Sequence, residues 1–415
     1  MPLKTIHIAL SPNNTWRDTL AAAELLFLPW NWFSWKKGRA VSRLEDLFRD
    51  RLGAKMTAAV GSGREALLLI LKSLAPQSGE EVLVQSFTCM VVINSIIWNG
   101  LKPVYVDIDR HFNLDLTDLQ KKISPRTRAV IIQHTFGIAG RVAELKKICR
   151  ERGLVLIEDC AHALGASANG QMLGSQGDFS FFSLGRSKVI SCVNGGILAV
   201  NNEKYIEPVK HHLAHLQDWS WQYILQNLAH PLIFSLAKPL YGIGLGKALI
   251  VLAQKLRLLN KEITPQEKRA VKPAEFNGRL ANAMAKIALL QMAKLDDFNR
   301  QRRWAAEYYF KHLRVGGKLD PAALPGAIFL RYPLLISNPE RVLSIGKKLG
   351  LYLGDWYSVP VAPPDIDQNK TLYQAGSCPE TEKINRRMIN LPTYQSLKKT
   401  DLKKICNLVN QYAEN

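Results

Sequence analysis

The sequence predicts an α/β protein: a mostly parallel sheet covered on both faces by helices, followed by a smaller α+β unit. Three observations carry that expectation. Short apolar runs alternate with helical stretches from about Leu52 to Asn201. A long helical pattern and then mixed short strands and helices follow from about residue 277. At 415 residues, with 47% hydrophobic and 22% charged side chains, the chain is too long for one ordinary domain and apolar enough for a substantial core.

The runs EVLVQ (81–85), KPVYV (102–106), RAVIIQ (128–133), LVLIE (154–158) and GGILAV (195–200) are expected to be buried strands. Between them, REALLLILKSL (64–74), VVINSIIWNG (91–100) and VAELKKICRERG (142–153) are expected to be helices. The last has apolar residues three and four apart and a glycine stop. In such sheets the carboxyl ends of the strands build the site. Residues 277–312 predict one long helix or two in series. Beyond about Val315, AIFLRYPLLI and PERVLSIGKKLG predict a strand and a helix of the smaller domain. We place the large domain at 1–275 and the linking helix with the small domain at 276–415. Neither a fixed-period repeat nor a low-complexity tract is present.

The formal charge of +20 points to anionic partners: phosphorylated substrates, nucleic acid or an acidic membrane face, or else a solvated basic surface. No aromatic–basic recognition module supports nucleic acid. The six cysteines form no CxxC pair and no metal spacing, which suits reduced, buried thiols in the cytoplasm. The N-terminus lacks the basic-then-apolar order of a secretory signal. Two segments fit neither pattern: an apolar, Trp-rich stretch at 20–37, and an apolar and basic insertion at about 205–272. Lys238, Pro239 and Lys247 interrupt the second, so it is not expected to span a bilayer. Apolar helices flanked by Trp and Lys suit a membrane interface, peripherally at the inner face, and equally suit packing on the body or in a dimer contact.

Four places carry chemistry. Gly61-Ser62-Gly63-Arg64 opens a helix, where backbone N–H groups and the helix terminus suit an anion, or an ordinary N-cap serine. Glu158-Asp159-Cys160-Ala161-His162 ends a strand with an acid that can hold a ring nitrogen or cap the next helix. Phe182-Ser183-Leu184-Gly185-Arg186-Ser187-Lys188 sets a lysine in a Gly/Ser-rich apolar stretch. A partly buried lysine there can form a Schiff base, whereas most lysines are simply exposed. Phe276-Asn277-Gly278-Arg279 opens the long helical region.

In order, GSGREAL, EEVLVQSFTC, KPVYVDID, IEDCAHALGA, FSLGRSK, FNGRL, RYPLLI and LPTYQSL resemble the motif series of the DegT/DnrJ/EryC1/StrS family of pyridoxal 5′-phosphate (PLP) aminotransferases, from about Gly38 to the C-terminus. The resemblance implies fold type I with a seven-stranded-type sheet, and a reaction that moves an amino group from an amino acid such as glutamate to a nucleotide-linked keto-sugar. It implies that Lys188 forms the Schiff base with PLP and then shuttles the proton. Asp159 would pair with the ring nitrogen and His162, where the family has Gln, would bond the ring's phenolic oxygen. Ser62, Ser183 and the Gly63–Arg64 backbone would hold the phosphate. Asn277 would reach the neighbouring subunit's cofactor, which implies a homodimer with shared active sites.

Two residues depart from the pattern. Arg64 replaces a threonine of the phosphate loop and offers a guanidinium to the phosphate instead. Cys89 stands beside the cofactor where an aromatic ring usually stacks, with Phe87 or His134 as the compensating ring. Related sugar dehydratases of this fold carry histidine in place of the lysine, so Lys188 argues for transamination. A non-catalytic relative, and a membrane-surface protein acting on a lipid-linked substrate, are the other readings. No metal site is expected.

Overall fold

The computed structural model describes residues 5–273 and 278–413. After helices α1 (Trp16–Phe27) and α2 (Arg39–Leu52), the chain alternates strand and helix. It runs β1 (Met56–Val60), α3 (Gly63–Ser73), β2 (Glu81–Gln85), α4 (Met90–Ile97), β3 (Lys102–Val106), α5 (Leu116–Lys122), β4 (Thr127–Gln133), α6 (Val142–Arg152) and β5 (Val155–Asp159). Then β6 (Phe179–Ser183) and β7 (Gly196–Val200) complete a seven-stranded sheet in the order β1-β7-β6-β5-β4-β2-β3. Only β7 runs against its neighbours. The carboxyl ends of β1, β2, β4, β5 and β6 therefore share one edge, and every motif singled out before residue 190 sits on that edge.

Alternation along each strand explains why the sheet needs two covers. On β4, Val130 and Ile132 join the core under α2, α6 and the later helix α10 (Asn282–Met292). Ala129 and Ile131 face the opposite core under α3 and α4. Burial on both sides makes these strands read as continuous apolar runs. Strands β1 and β6 and helix α2 lie outside the sequence expectation. In β1 the small residues Thr57, Ala58 and Ala59 give little apolar signal. In β6, four of five positions are fully buried, so FSFFS is a central strand ahead of the Lys188 loop.

The region 277–312 divides after Met292, giving α10 and α11 (Leu295–His312). Helix α10 packs with the large sheet. From Ala305, α11 packs with the small unit built around β8 (Arg331–Leu335) and β9 (Met388–Pro392), α12 (Pro339–Lys348), α13 (Pro379–Asn385) and α14 (Lys399–Tyr412). The insertion is folded onto the body. It forms α7 (Ile206–Ala214), α8 (Trp221–Ala237) and α9 (Leu245–Lys255), and its return segment is pinned by Asn94 Nδ2 on the Glu267 carbonyl (2.9 Å) and Trp98 Nε1 on the Ala270 carbonyl (2.7 Å).

One buried clamp fixes the loop that carries Lys188. Arg302 of α11 is fully buried. Its Nη2 donates to the Val189 carbonyl at 2.6 Å and to Asn13 Oδ1 at 3.1 Å, and its Nη1 to Asn299 Oδ1 at 2.7 Å. Asn13 Nδ2 donates to the Lys188 and Val189 carbonyls. Burial lowers the Arg302 pKa to about 9, so carbonyl dipoles rather than a carboxylate hold this cation. Arg302→Ala would strand two buried amide oxygens, those of Asn13 and Asn299, and leave a void. Urea denaturation should show a loss of about 2–4 kcal/mol. Wild-type stability of the variant would mean that the clamp carries no load.

Candidate active site

Lys188 lies five residues beyond the end of β6, on a turn closed by its own N–H on the Gly185 carbonyl (3.2 Å). Its side chain enters a cavity of about 220 Å³ at the shared strand edge. Asp159, His162, Ser62, Gly63, Arg64, Cys89 and Ser183 line the same cavity, so the structure brings together every described residue of the expected site. Asn277 lies outside the described residues. Its neighbour Gly278 is tied behind the phosphate loop: its N–H donates to Glu65 Oε1 (2.9 Å) and its carbonyl accepts from Gly61 N–H (2.8 Å).

Desolvation dominates the electrostatics. Burial lowers the Lys188 pKa from the ordinary lysine value, against the pull of Cys89 and Asp159. Burial raises Asp159 to about 6, against the Ala161 N–H, which donates to Oδ1 at 2.9 Å, and the nearby Lys188. His162 is buried, and desolvation with the charges of Lys188 and Arg331 pushes its pKa well below 6.5. It is therefore neutral. Its Nδ1 accepts the Phe136 N–H at 3.4 Å, which leaves the proton on Nε2 as a donor.

At the other end, Ser62 caps α3 by accepting the Glu65 N–H at 3.2 Å. A Cβ on Gly63 would come within 2.9 Å of Ser183 Cβ, so only glycine lets the loop approach that hydroxyl. Arg64 behaves differently from the expectation. Its guanidinium pairs with the buried Glu267 carboxylate and donates to the Glu262 carbonyl at 2.6 Å. A buried carboxylate needs such a partner, so this cation is committed to the insertion.

Neither ring proposed to replace the aromatic at Cys89 reaches the cavity. Phe87 packs in the small-domain core, edge-on to Tyr357 at 4.9 Å. His134 is held by Glu158 Oε2 (3.1 Å) and by the Gly140 N–H (3.2 Å). The aromatic surface comes instead from Trp356 and Tyr357, which line the cavity. Trp356 is stacked on His162 (5.3 Å between centroids, 11° between planes), with the Arg331 guanidinium 3.3 Å over its ring and Lys188 Nζ 5.0 Å from it. Sequence reasoning missed Trp356, Tyr357, Gln133 and Glu262. The one signal for the first two is an adjacent aromatic pair in a short loop, GDWYSVP.

The donor set fits PLP. An acid for a ring nitrogen, a neutral imidazole N–H for a phenolic oxygen, an amine for an aldehyde and a glycine–serine helix start for a phosphate share one cavity.

Known proteins resemble this chain in sequence and in fold. The profile of the DegT/DnrJ/EryC1/StrS aminotransferase family matches residues 25–226 and 249–410, and passes over a stretch inside the insertion. GDP-perosamine synthase of Vibrio cholerae is 26% identical, with 92% of each chain covered. A UDP-N-acetyl-3-dehydro-alpha-D-glucosamine 3-aminotransferase of Acidithiobacillus ferrooxidans is 26% identical over 84% of this chain and 82% of its own. Among solved structures, Helicobacter pylori PseC, an aminotransferase of pseudoaminic acid biosynthesis, superposes with a TM-score of 0.74 at 20% identity, covering 95% of each chain. NtdA of Bacillus subtilis, described with bound cofactor PMP, gives 0.74 at 17% identity, covering 99% of this chain and 85% of that one. The chain belongs to the DegT/DnrJ/EryC1/StrS family and is a PLP-dependent aminotransferase of fold type I.

Proposed function

We propose that this enzyme transfers an amino group from an amino acid, glutamate in the first instance, to the keto group of a nucleotide-activated sugar, in the cytoplasm. The observation that carries the reading is the Lys188 amine, desolvated and sharing a cavity with Asp159, with Gly63 at the start of α3 and with Ser183. Similarity to the perosamine synthase and the glucosamine 3-aminotransferase supports the sugar substrate.

PLP, when bound, supplies an electron sink for the carbon that carries the amine. The protein's part is to hold, orient and move protons. Asp159 keeps the ring nitrogen charged. The Nε2–H of His162 is the donor for the ring's phenolic oxygen. The N–H groups at the start of α3 and the Ser183 hydroxyl hold the phosphate. Lys188, its basicity reduced by burial, takes a proton from the substrate carbon and returns it on the cofactor side. Trp356 and Tyr357 close the cavity against water. The family's lysine in place of a dehydratase histidine favours transamination. By the same resemblance the enzyme acts as a homodimer, with Asn277 of one subunit reaching the phosphate held by the other.

Glutamate should bleach the visible absorption of the purified holoenzyme, and a nucleotide-linked keto-sugar should restore it. Lys188→Ala should cut turnover roughly a thousandfold or more. Intact bleaching and turnover in that variant would sink the mechanism. A full screen of keto-sugars without any restored absorbance would sink the substrate class.

The raised pKa of Asp159 sets a pH dependence for cofactor binding. Below about 6 the carboxyl of the cofactor-free enzyme is protonated. The ring nitrogen of PLP also arrives protonated there, and the pair keeps one proton between them. One proton must therefore leave, so affinity should fall about tenfold per pH unit on the acid side and level off toward neutrality. Fluorescence titration of the cofactor-free enzyme with PLP from about pH 5 to about pH 7 measures this. A flat profile would show that Asp159 is ionised throughout.

A further inference from the structure

Helices α1, α8 and α9 form a layer on the outside of the large domain that the cavity does not use. Helix α1 lies antiparallel to α8. Thr19 Oγ1 is 2.7 Å from Ser235 Oγ near one end, and Trp35, just past α1, packs on Trp221 at the other (5.4 Å between centroids). Helix α9 packs beside α8 through Ile250 and Ala253 on Ile233 and Phe234. The inner faces are ordinary core: Ala22, Leu25, Ile224 and Leu228 join the residues under the sheet.

The outer faces are apolar too. Trp16 and Phe27 of α1, Trp30 and Phe33 of the turn after it, Leu236 of α8 and Leu252 of α9 are all exposed, Phe33 to 93%. Several large apolar side chains exposed on one layer of helices mark a place that something covers.

Charge selects the cover. Residues 219–261 hold no Asp or Glu and expose Lys247, Lys255, Arg257 and Lys261, while Lys238 turns inward onto the Ser11 carbonyl (2.6 Å). Residues 25–44 carry Lys36, Lys37, Arg39 and Arg43 and no acid of their own, with Lys37 3.5 Å from Asp218. Glu24 is the one exposed acid on the three described helices. A second copy docking through this face would set like charges against each other across a two-fold axis. An anionic bilayer surface offers the opposite charge and accepts Trp and Phe at headgroup depth while Lys and Arg reach the phosphates. We propose that this face docks the enzyme on an anionic lipid surface, with α1, α8 and α9 lying in the plane of the interface. No helix among the described residues is long and apolar enough to cross a membrane, so the contact is peripheral. The active-site cavity lies apart from the outer faces of these helices, so docking is independent of the substrate assigned above.

The test floats the full-length holoenzyme with vesicles of phosphatidylcholine alone and of phosphatidylcholine mixed with phosphatidylglycerol. The enzyme should float with the mixed vesicles, stay behind with the neutral ones, and be released by salt. Trp30→Ser/Phe33→Ser and Lys247→Glu/Lys255→Glu should each reduce the bound fraction roughly tenfold or more. Circular dichroism and the glutamate half-reaction of both variants should match wild type. Failure of the wild type to float with mixed vesicles overturns the proposal, as does undiminished flotation of both variants. Sedimentation velocity supplies the other decisive reading: dimer dissociation in either variant would make this face a subunit contact and overturn lipid docking.

Discussion

An amine and a carboxyl held in one small, nearly dry cavity are the constraint around which this molecule is arranged. Desolvation moves the two groups in opposite directions: Lys188 downward and Asp159 up to about 6. Each offers the other partial compensation. Keeping them together takes strand polarity, since β5 delivers Asp159 and β6 leads to Lys188 only because both point their carboxyl ends the same way. It also takes the Arg302 clamp, which ties the lysine's own loop to the N-terminal segment and to α11.

The small domain completes the cavity by a stack rather than by a charge. Arg331 lies over Trp356, and Trp356 lies parallel to His162. Burial lowers Arg331 to about 10, and burial of His162 itself, helped by the charges of Lys188 and Arg331, keeps that ring neutral. Neutrality lets His162 take the Phe136 N–H on Nδ1 and present Nε2–H on its other side. A glutamine amide presents an N–H without any such arrangement. The histidine here presents one only because burial and two nearby cations keep its ring neutral.

How much of this was legible in the sequence depended on the distance over which each feature is decided. Buried strands such as EVLVQ and RAVIIQ carry their own signal, because two covered faces leave no polar alternation. Strand β1 has few large apolar side chains, and β6 runs straight into Leu184-Gly185-Arg186, so neither stood out. Lys188, Asp159, Ser183 and the Gly63 loop were legible through their order along the chain. The partner of Arg64 was not: Glu267 is 203 residues away, and nothing local marks a guanidinium as already paired. Trp356 was missed for the same reason. Its place beside His162 is set by the small domain folding back over the strand edge, while Phe87, adjacent to Cys89 by sequence, turns into the small-domain core.

The insertion changes the surroundings of Arg64 at the start of α3. In the sequence, Arg64 looks like a cation added to an anion site. In the fold, Glu267 neutralises it, and the segment 260–267 closes over it, with Glu262 reaching the cavity wall. What remains at that end is a set of hydrogen-bond donors and a helix terminus. An anion held by donors of fixed position is bound by geometry, whereas exposed cations attract any phosphate that approaches. The cation added at that end is therefore neutralised, and the positive charges left at the cavity are those of Lys188 and the nearby Arg331. On the outer turns of the same insertion Lys247, Lys255 and Arg257 are exposed, where selectivity for one phosphate is not required and attraction to many is useful.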